Sequence, residues 1–96
     1  MRLTFIVCEA SVDERVMAML TEAGASGYTR LTDAFGNGSH GRREGSPIWP
    51  GLNSIIMSAM TDEQIETMRQ RIEELVAERE GRLAIRMFAT PVEQII

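Results

Sequence analysis

The chain has no lysine, one cysteine, one histidine and no long apolar run. A lone Cys8 cannot form a disulfide within the chain, and we expect a cytoplasmic protein. No stretch approaches the roughly 20 apolar residues of a membrane span, and residues 3–8 are too few for a signal-peptide core. All ten basic residues are arginine and the formal net charge is −4, which argues against nucleic-acid binding. We therefore expect neither membrane insertion nor a nucleic-acid partner.

What is present is an ordinary globular composition, 44% hydrophobic and 25% charged, over 96 residues, which predicts a single domain spanning 1–96. Ser11 with Glu14, and Thr61 with Gln64, have the spacing of helix-starting capping boxes. Apolar residues recur at helical spacing after each, and Gly24 and Gly81 are expected to end the two helices. Apolar stretches predict strands at residues 2–8, 27–32, 54–60 and 83–89.

The resulting β-α-β-β-α-β order predicts an α+β, ferredoxin-like sandwich, in which two helices cover one face of an antiparallel sheet. Right-handed crossovers place the first and third strands in the centre, which leaves Arg30 and Arg86 on edge strands. The uncovered face would present Phe5 and Val7 to water. Because large apolar patches usually mark interfaces, we expect a homo-oligomer; a monomer with an exposed apolar face is the alternative.

Residues 33–53 hold five of the eight glycines, two of the three prolines, the only histidine and the only tryptophan. Long loops in small domains are usually functional, so we expect a binding loop here. Residues 36–41 read Gly-x-Gly-x-x-Gly, but no helical pattern comes after them, so a dinucleotide fingerprint is not expected. Backbone N–H groups with Arg42 and Arg43 could bind an anion; the alternative is a hairpin with solvated arginines.

Three residue types that often have functional roles occur only once in the chain, as His40, Trp49 and Cys8. His40 could hold a metal with its copies at a symmetry axis, or together with Cys8 or a carboxylate, although an exposed loop residue is the alternative. Trp49 is expected to anchor the loop base by packing. Cys8 ends an apolar strand and is expected in the core rather than as a nucleophile. No acid–base pair stands out, so we expect no enzymatic activity and no required cofactor.

The chain resembles the PII-like signalling family in its element order, its Gly-Tyr-Thr-Arg stretch from Gly27, and Phe35-Gly36 at the start of the loop. The resemblance spans nearly the whole chain, and residues 45–53 look like a short-loop branch of the family. Residues 34–52 correspond to the family's flexible T-loop. The resemblance implies a homotrimer that binds adenine nucleotides between subunits and contacts a transporter, enzyme or regulator through the loop.

The resemblance also implies a set of ligand-binding residues. Glu80-Gly81-Arg82 would replace the family's phosphate-gripping B-loop, with Arg82 as the phosphate ligand, although the usual glycine-rich run with lysine is missing. The loop has no tyrosine for uridylylation, and no glutamine of the kind that helps hold metal and 2-oxoglutarate. The residues expected to line the cleft at the loop base are Phe35, Gly36, Asn37 and Gly38.

These inferences combine into one main hypothesis and two rivals. The main hypothesis is a trimeric, non-enzymatic regulator whose small anionic ligand, an adenine nucleotide, biases the loop and so controls a partner protein. The first rival is a metal-binding protein related to the divalent-cation tolerance proteins, which share this trimeric fold, and it depends on His40 and Cys8. The second rival, an enzyme, is disfavoured for want of a catalytic constellation.

Overall fold

The structure, a computed structural model, describes residues 1–38, 41–43 and 52–96. For residues 36–38 and 41–43 it describes the backbone alone. Neither helix in these ranges is long and apolar enough to cross a membrane. The elements are β1 (Arg2–Glu9), α1 (Asp13–Glu22), β2 (Thr29–Ala34), β3 (Gly36–Gly38), β4 (Gly41–Arg43), β5 (Asn53–Met60), α2 (Asp62–Glu78) and β6 (Ile85–Pro91).

Four strands form one antiparallel sheet in the order β2-β5-β1-β6, while β3 and β4 form a separate hairpin. β1 pairs with β5 along its length, from Arg2 opposite Met60 to Glu9 opposite Asn53. The two central strands are the first and third of the four predicted strands, so the ferredoxin-like topology is confirmed. The predicted loop at residues 33–53 is partly wrong, because β2 continues to Ala34 and a hairpin comes after it.

The core lies between the sheet and the two helices. Successive strand residues point to opposite faces, so Ile6 and Cys8 are 0% and 1% exposed, whereas Phe5 and Val7 are only half-buried. On the helices the predicted apolar stripes are confirmed. The buried helical residues include Val16 and Leu20 of α1 and Met68, Ile72 and Leu75 of α2.

The opposite sheet face, which we call the open face, has no covering layer within the described residues. Phe5 stands opposite both Met57 and Phe88, and Val7 stands opposite Ile55. Phe88 is 59% exposed, which is unusual for a large apolar side chain on a sheet. The open face comprises Leu3, Phe5, Val7, Leu31, Ile55, Met57, Ala59 and Phe88.

The two helices begin differently. At Thr61 the predicted capping box is confirmed, since Thr61 and Gln64 exchange side chain–backbone hydrogen bonds. At Ser11 the predicted capping box is wrong. A 3-10 turn, Ala10–Val12, precedes α1, so that Val12 occupies the N-cap position of the helix and makes no side-chain capping hydrogen bond. The Glu14 carboxylate instead accepts a hydrogen bond from Arg30 at 3.2 Å. A residue on β2 therefore binds the carboxylate that the capping box would need.

Candidate functional site

One end of the sheet gathers the elements that sequence analysis singled out. β2 ends at Ala34, which pairs with Asn53, the first residue of β5. Glu9, the last residue of β1, also stands opposite Asn53, and Ile85, the first residue of β6, stands opposite Cys8. We call this the loop end. It carries both the start of the loop and the turn that leads into β6.

Phe35 and Arg82 lie at opposite edges of the loop end. Phe35 comes directly after β2 and Arg82 comes shortly before β6, and these are the two edge strands. Neighbouring strands are about 4.8 Å apart, so three spacings separate the edges by roughly 14 Å. Within one chain, the two predicted ligand residues therefore lie at opposite edges of the sheet rather than side by side.

A β-bulge shapes the point where the loop leaves the sheet. Leu31 stands opposite Ile55 and Ala34 opposite Asn53, so β2 advances one residue more than its partner. Asp33 takes a left-handed conformation with φ 59°, which aspartate tolerates better than most residues. Bulges bend a strand and change the direction in which the chain leaves it. The first residue beyond β2 is Phe35, which is 77% exposed.

The hairpin brings five of the predicted residues together through its backbone. Its register pairs Gly36 with Arg43, Asn37 with Arg42, and Gly38 with Gly41. The arginines thus return beside the loop base. The described residues of the Gly-x-Gly-x-x-Gly stretch, 36–38 and 41, lie on strands rather than in a helix, as expected when a dinucleotide fingerprint is absent.

The turn after α2 is more constrained than its glycine suggests. The N–H of Glu80 donates to the Ala77 carbonyl (3.0 Å) and the N–H of Gly81 to the Val76 carbonyl (3.0 Å), which is a Schellman motif. Glu80, with φ 55°, is the first left-handed residue after the helix, and Gly81 is the second, with φ 77°. The prediction that Gly81 itself ends the helix is therefore wrong by one residue, because Glu80 already adopts the left-handed conformation.

This turn cannot bind phosphate as a nest of free N–H groups. The N–H of Arg82 also has a partner, the Arg79 carbonyl at 2.9 Å, so all three amides are used. What remains is the guanidinium of Arg82. Arg82 is exposed and makes no ion pair with any residue in the described part of the chain. Arginine binds phosphate or carboxylate through paired hydrogen bonds, so the side chain alone can bind an anion.

Beneath the loop base lies a polar cluster that sequence analysis missed. Asp13 is 8% exposed. Its Oδ2 accepts hydrogen bonds from Ser54 Oγ at 2.7 Å and from Arg30 Nη1 at 3.4 Å. One signal could have revealed it: Ser54 occupies a buried position in an alternating central strand, and a buried hydroxyl needs a partner.

The turn from β1 into α1 also contacts both sides of the loop end. The Glu9 N–H donates to the Ala84 carbonyl at 3.0 Å, and Glu9 Oε1 accepts from the Ala84 N–H at 3.1 Å. The Ala10 N–H donates to the Leu52 carbonyl at 2.8 Å. The turn from β1 into α1 therefore holds the chain where it returns from the loop and where it enters β6.

Cys8 is a core residue, as predicted. Burial raises the pKa of its thiol from 9.0 to about 12, and the nearby carboxylates of Asp13 and Glu9 add to the increase. The thiolate, which is the nucleophilic form, is therefore scarce at neutral pH.

The metal hypothesis gains no support. Residues 1–38, 41–43 and 52–96 contain no group of three histidine, cysteine, aspartate or glutamate side chains that could hold a metal ion. His40 and Trp49 lie outside the described residues, so their predicted roles stay predictions.

Comparison with known proteins agrees with this architecture. The family model of the nitrogen regulatory protein P-II matches residues 1–96. No curated protein matches the chain. Among solved structures, CPII from Thiomonas intermedia K12, a nitrogen regulatory PII-like protein bound to ADP, AMP and bicarbonate, is 21% identical with a TM-score of 0.74. That match covers 97% of this chain and 88% of CPII.

A second form of CPII, bound to ADP and bicarbonate, is 22% identical with a TM-score of 0.73 and the same coverage. A Thermus thermophilus protein described as PII-like signaling is 25% identical with a TM-score of 0.70, over 95% of this chain and 85% of its own. The likeness to CPII, at 21–22% identity, shows a shared fold.

Proposed function

Because the chain belongs to the nitrogen regulatory protein P-II family, we propose that it is a homotrimeric, non-enzymatic regulator of the cytoplasm. It binds an adenine nucleotide in clefts between subunits. The nucleotide biases the conformation of the loop at residues 34–52, and the loop controls a partner protein. The partner is a transporter, an enzyme or another regulator.

The observation that carries the proposal is the separation of the predicted ligand residues. Phe35 and Arg82 sit at opposite edges of the loop end, one after β2 and the other before β6. In a ring of identical subunits, unlike edges of neighbouring copies face each other. One copy's Phe35 and hairpin would then meet the next copy's Arg82, which completes a site that a single chain lacks.

The open face supports the trimer. It presents Leu31 at 50% and Phe88 at 59% exposure, together with half-buried residues of both central strands. Contiguous apolar surface of this kind is rare on monomers and common at interfaces. Three copies that pack their open faces around an axis would bury it.

The donor set favours nucleotides with few phosphates. The amides of Glu80, Gly81 and Arg82 are used within the turn, and the chain has no lysine. Each further phosphate requires further donors or counter-charge. We therefore expect AMP and ADP to bind at least as tightly as ATP. The ADP and AMP bound by CPII are nucleotides of this class and guide the choice of probes.

Titration calorimetry with AMP, ADP and ATP, on wild type and an Arg82→Ala variant, tests the proposal. Hydrogen bonds to charged groups contribute about 1.5–3 kcal/mol, so the variant should bind AMP or ADP roughly tenfold to a hundredfold more weakly. Arg69→Ala is the matched control, because Arg69 is an exposed arginine that pairs with Glu66 and Glu73 on α2. The control should keep wild-type affinity.

Two results would contradict the proposal. Absence of heat and of thermal stabilisation with all three nucleotides would remove the ligand class, since saturating ligand raises stability by mass action. Equal nucleotide affinities of wild type and Arg82→Ala would contradict the assigned role of Arg82, because a nucleotide site would exist without its contribution. Arg42→Ala is tested in parallel, and we expect weaker anion binding there as well.

A further inference from the structure

β2, the strand from which the loop departs, has little apolar contact with the rest of the protein. The other three sheet strands each bury residues against the helices, but five of the six β2 residues are exposed and the sixth is only half-buried. β2 is also an edge strand, paired within the described chain to β5 alone. β2 is therefore held in place by polar side-chain contacts and by its backbone hydrogen bonds to β5.

One buried carboxylate, that of Asp13, makes polar contacts with both β2 and β5. Asp13 Oδ2 accepts from Arg30 of β2 and from Ser54 of β5, so a single group on α1 ties the strand the loop leaves to the strand it re-enters. Arg30 is further held by the Glu14 carboxylate at 3.2 Å. Asp13 is the first residue of α1, where the helix dipole favours a negative charge.

We propose that Asp13 is a positioning residue for the loop. By tying Arg30 and Ser54 to the start of α1, its carboxylate sets the position of the β2 bulge, and with it the direction in which Phe35 and the hairpin leave the sheet. For ligand binding the inference rests on the proposed function. For the conformation of the loop base, the inference depends only on the hydrogen bonds of Asp13 described above.

The sheet offers a matched control. Ser54 and Ser58 are both buried serines on β5 with short hydrogen bonds. Ser54 binds Asp13 at the loop end, whereas Ser58 Oγ donates to the Gly27 carbonyl at 2.6 Å, at the other end of β2. Ser54→Ala and Ser58→Ala therefore each remove one short hydrogen bond of a buried serine, at opposite ends of β5.

Amide hydrogen exchange on the ligand-free protein is the primary test. In Asp13→Asn and Ser54→Ala, amides of residues 31–38 and 52–54 should exchange about tenfold faster than in wild type, because local opening loses one charged hydrogen bond. In Ser58→Ala these amides should keep wild-type rates. Arg30→Gln changes the less buried side of the cluster and should give the same faster exchange as Asp13→Asn. If Asp13→Asn does not fold, Arg30→Gln tests the role of the cluster in its place.

Nucleotide affinity is the second readout. With ADP as the probe, Asp13→Asn should weaken binding roughly threefold to tenfold, whereas Ser58→Ala should not. If wild type binds no nucleotide, the proposed function fails while the exchange comparison still decides the role of Asp13. Unchanged exchange at the loop base in Ser54→Ala and Arg30→Gln, or an equal rise across the whole chain, would overturn the inference.

Discussion

The two faces of the sheet are built from the same strands but have different environments. On one face Ile6 and Ile56, both 0% exposed, pack beneath two helices. On the other, Phe5 and Met57 stand opposite each other and are only half-buried. The first face is completed within one chain. The second carries eight apolar side chains that no layer within the described residues covers, and we propose that it is completed by other copies of the chain.

The difference separates folding from assembly. Substitutions on the helix-covered face should lower the stability of the chain whatever its concentration. Substitutions on the open face should act through association, and their effects should depend on protein concentration.

The largest expected effect is loss of assembly in Phe88→Asp. Phe88 is 59% exposed in one chain, so the charge should leave the fold intact but block burial of the open face. Light scattering should give about three times the 10.7 kDa chain mass for wild type and a single chain mass for the variant. Ala77→Asp, which adds the same charge at an exposed position of α2, away from the open face, should stay assembled. A trimeric Phe88→Asp protein would exclude the open face as the interface.

The second-largest effect should come from shortening two neighbouring β1 side chains, one on each face of the sheet, and comparing the stability of the two variants. Ile6→Ala removes fully buried methyl groups, and we expect about 2–5 kcal/mol lower stability in urea at any protein concentration. Val7→Ala should lower stability less at low protein concentration and more as assembly increases. If both variants show the same loss with no concentration dependence, the distinction between the two faces fails.

Alkaline unfolding should report on the helix-covered face through Cys8. Its folded-state pKa of about 12 lies above the ordinary 9.0, so between these values the unfolded chain releases its proton first. The stabilisation is complete below pH 9 and is lost as the pH rises towards 12. In urea series at about pH 8 and about pH 10, wild type should lose more stability than Cys8→Ala. Equal losses would mean that the thiol titrates normally in the folded protein.

The smallest effect should come from the starts of the two helices that cover the sheet. Thr61→Ala removes a complete capping box and should lower the free energy of unfolding by about 1 kcal/mol. Ser11→Ala removes no capping bond and should change it by a few tenths of a kcal/mol at most. Thermal or urea unfolding of both variants tests this, and equal losses would indicate that Ser11 does cap α1 in solution.

Local pattern was enough to predict most of the fold. The continuous apolar run of β1 and the helical spacing in α1 and α2 predict these elements, and the order of elements with right-handed crossovers leads to the sheet order. Thr61 and Gln64 could be paired from spacing alone, because they are three residues apart. Gln64 Oε1 accepts from the Thr61 N–H, while its Nε2 donates to the Gly24 carbonyl.

The errors all involve partners that are distant in the chain or unusual backbone conformations. Glu14 did not complete a capping box because Arg30, 16 residues later, binds it. The hydrogen bond between Asp13 and Ser54 joins residues 41 positions apart, and no periodic pattern in the sequence reveals such a contact. Asp33 and Glu80 take left-handed conformations, where sequence favours glycine. Of the candidate site, the loop and its turn could be found from sequence, whereas the contacts that hold the loop base could not.

The opposite-edge placement of Phe35 and Arg82 has a consequence for mixed populations of chains. If each cleft draws one residue from each of two neighbours, a variant without Phe35 and a variant without Arg82 are each inactive alone, yet complement each other when co-assembled. Random equal mixing restores about a quarter of the clefts, because a working cleft needs a specific ordered pair of neighbours. By the same reasoning, a single doubly defective chain disables two of the three clefts in its ring, so one altered gene copy would act dominantly over a normal one.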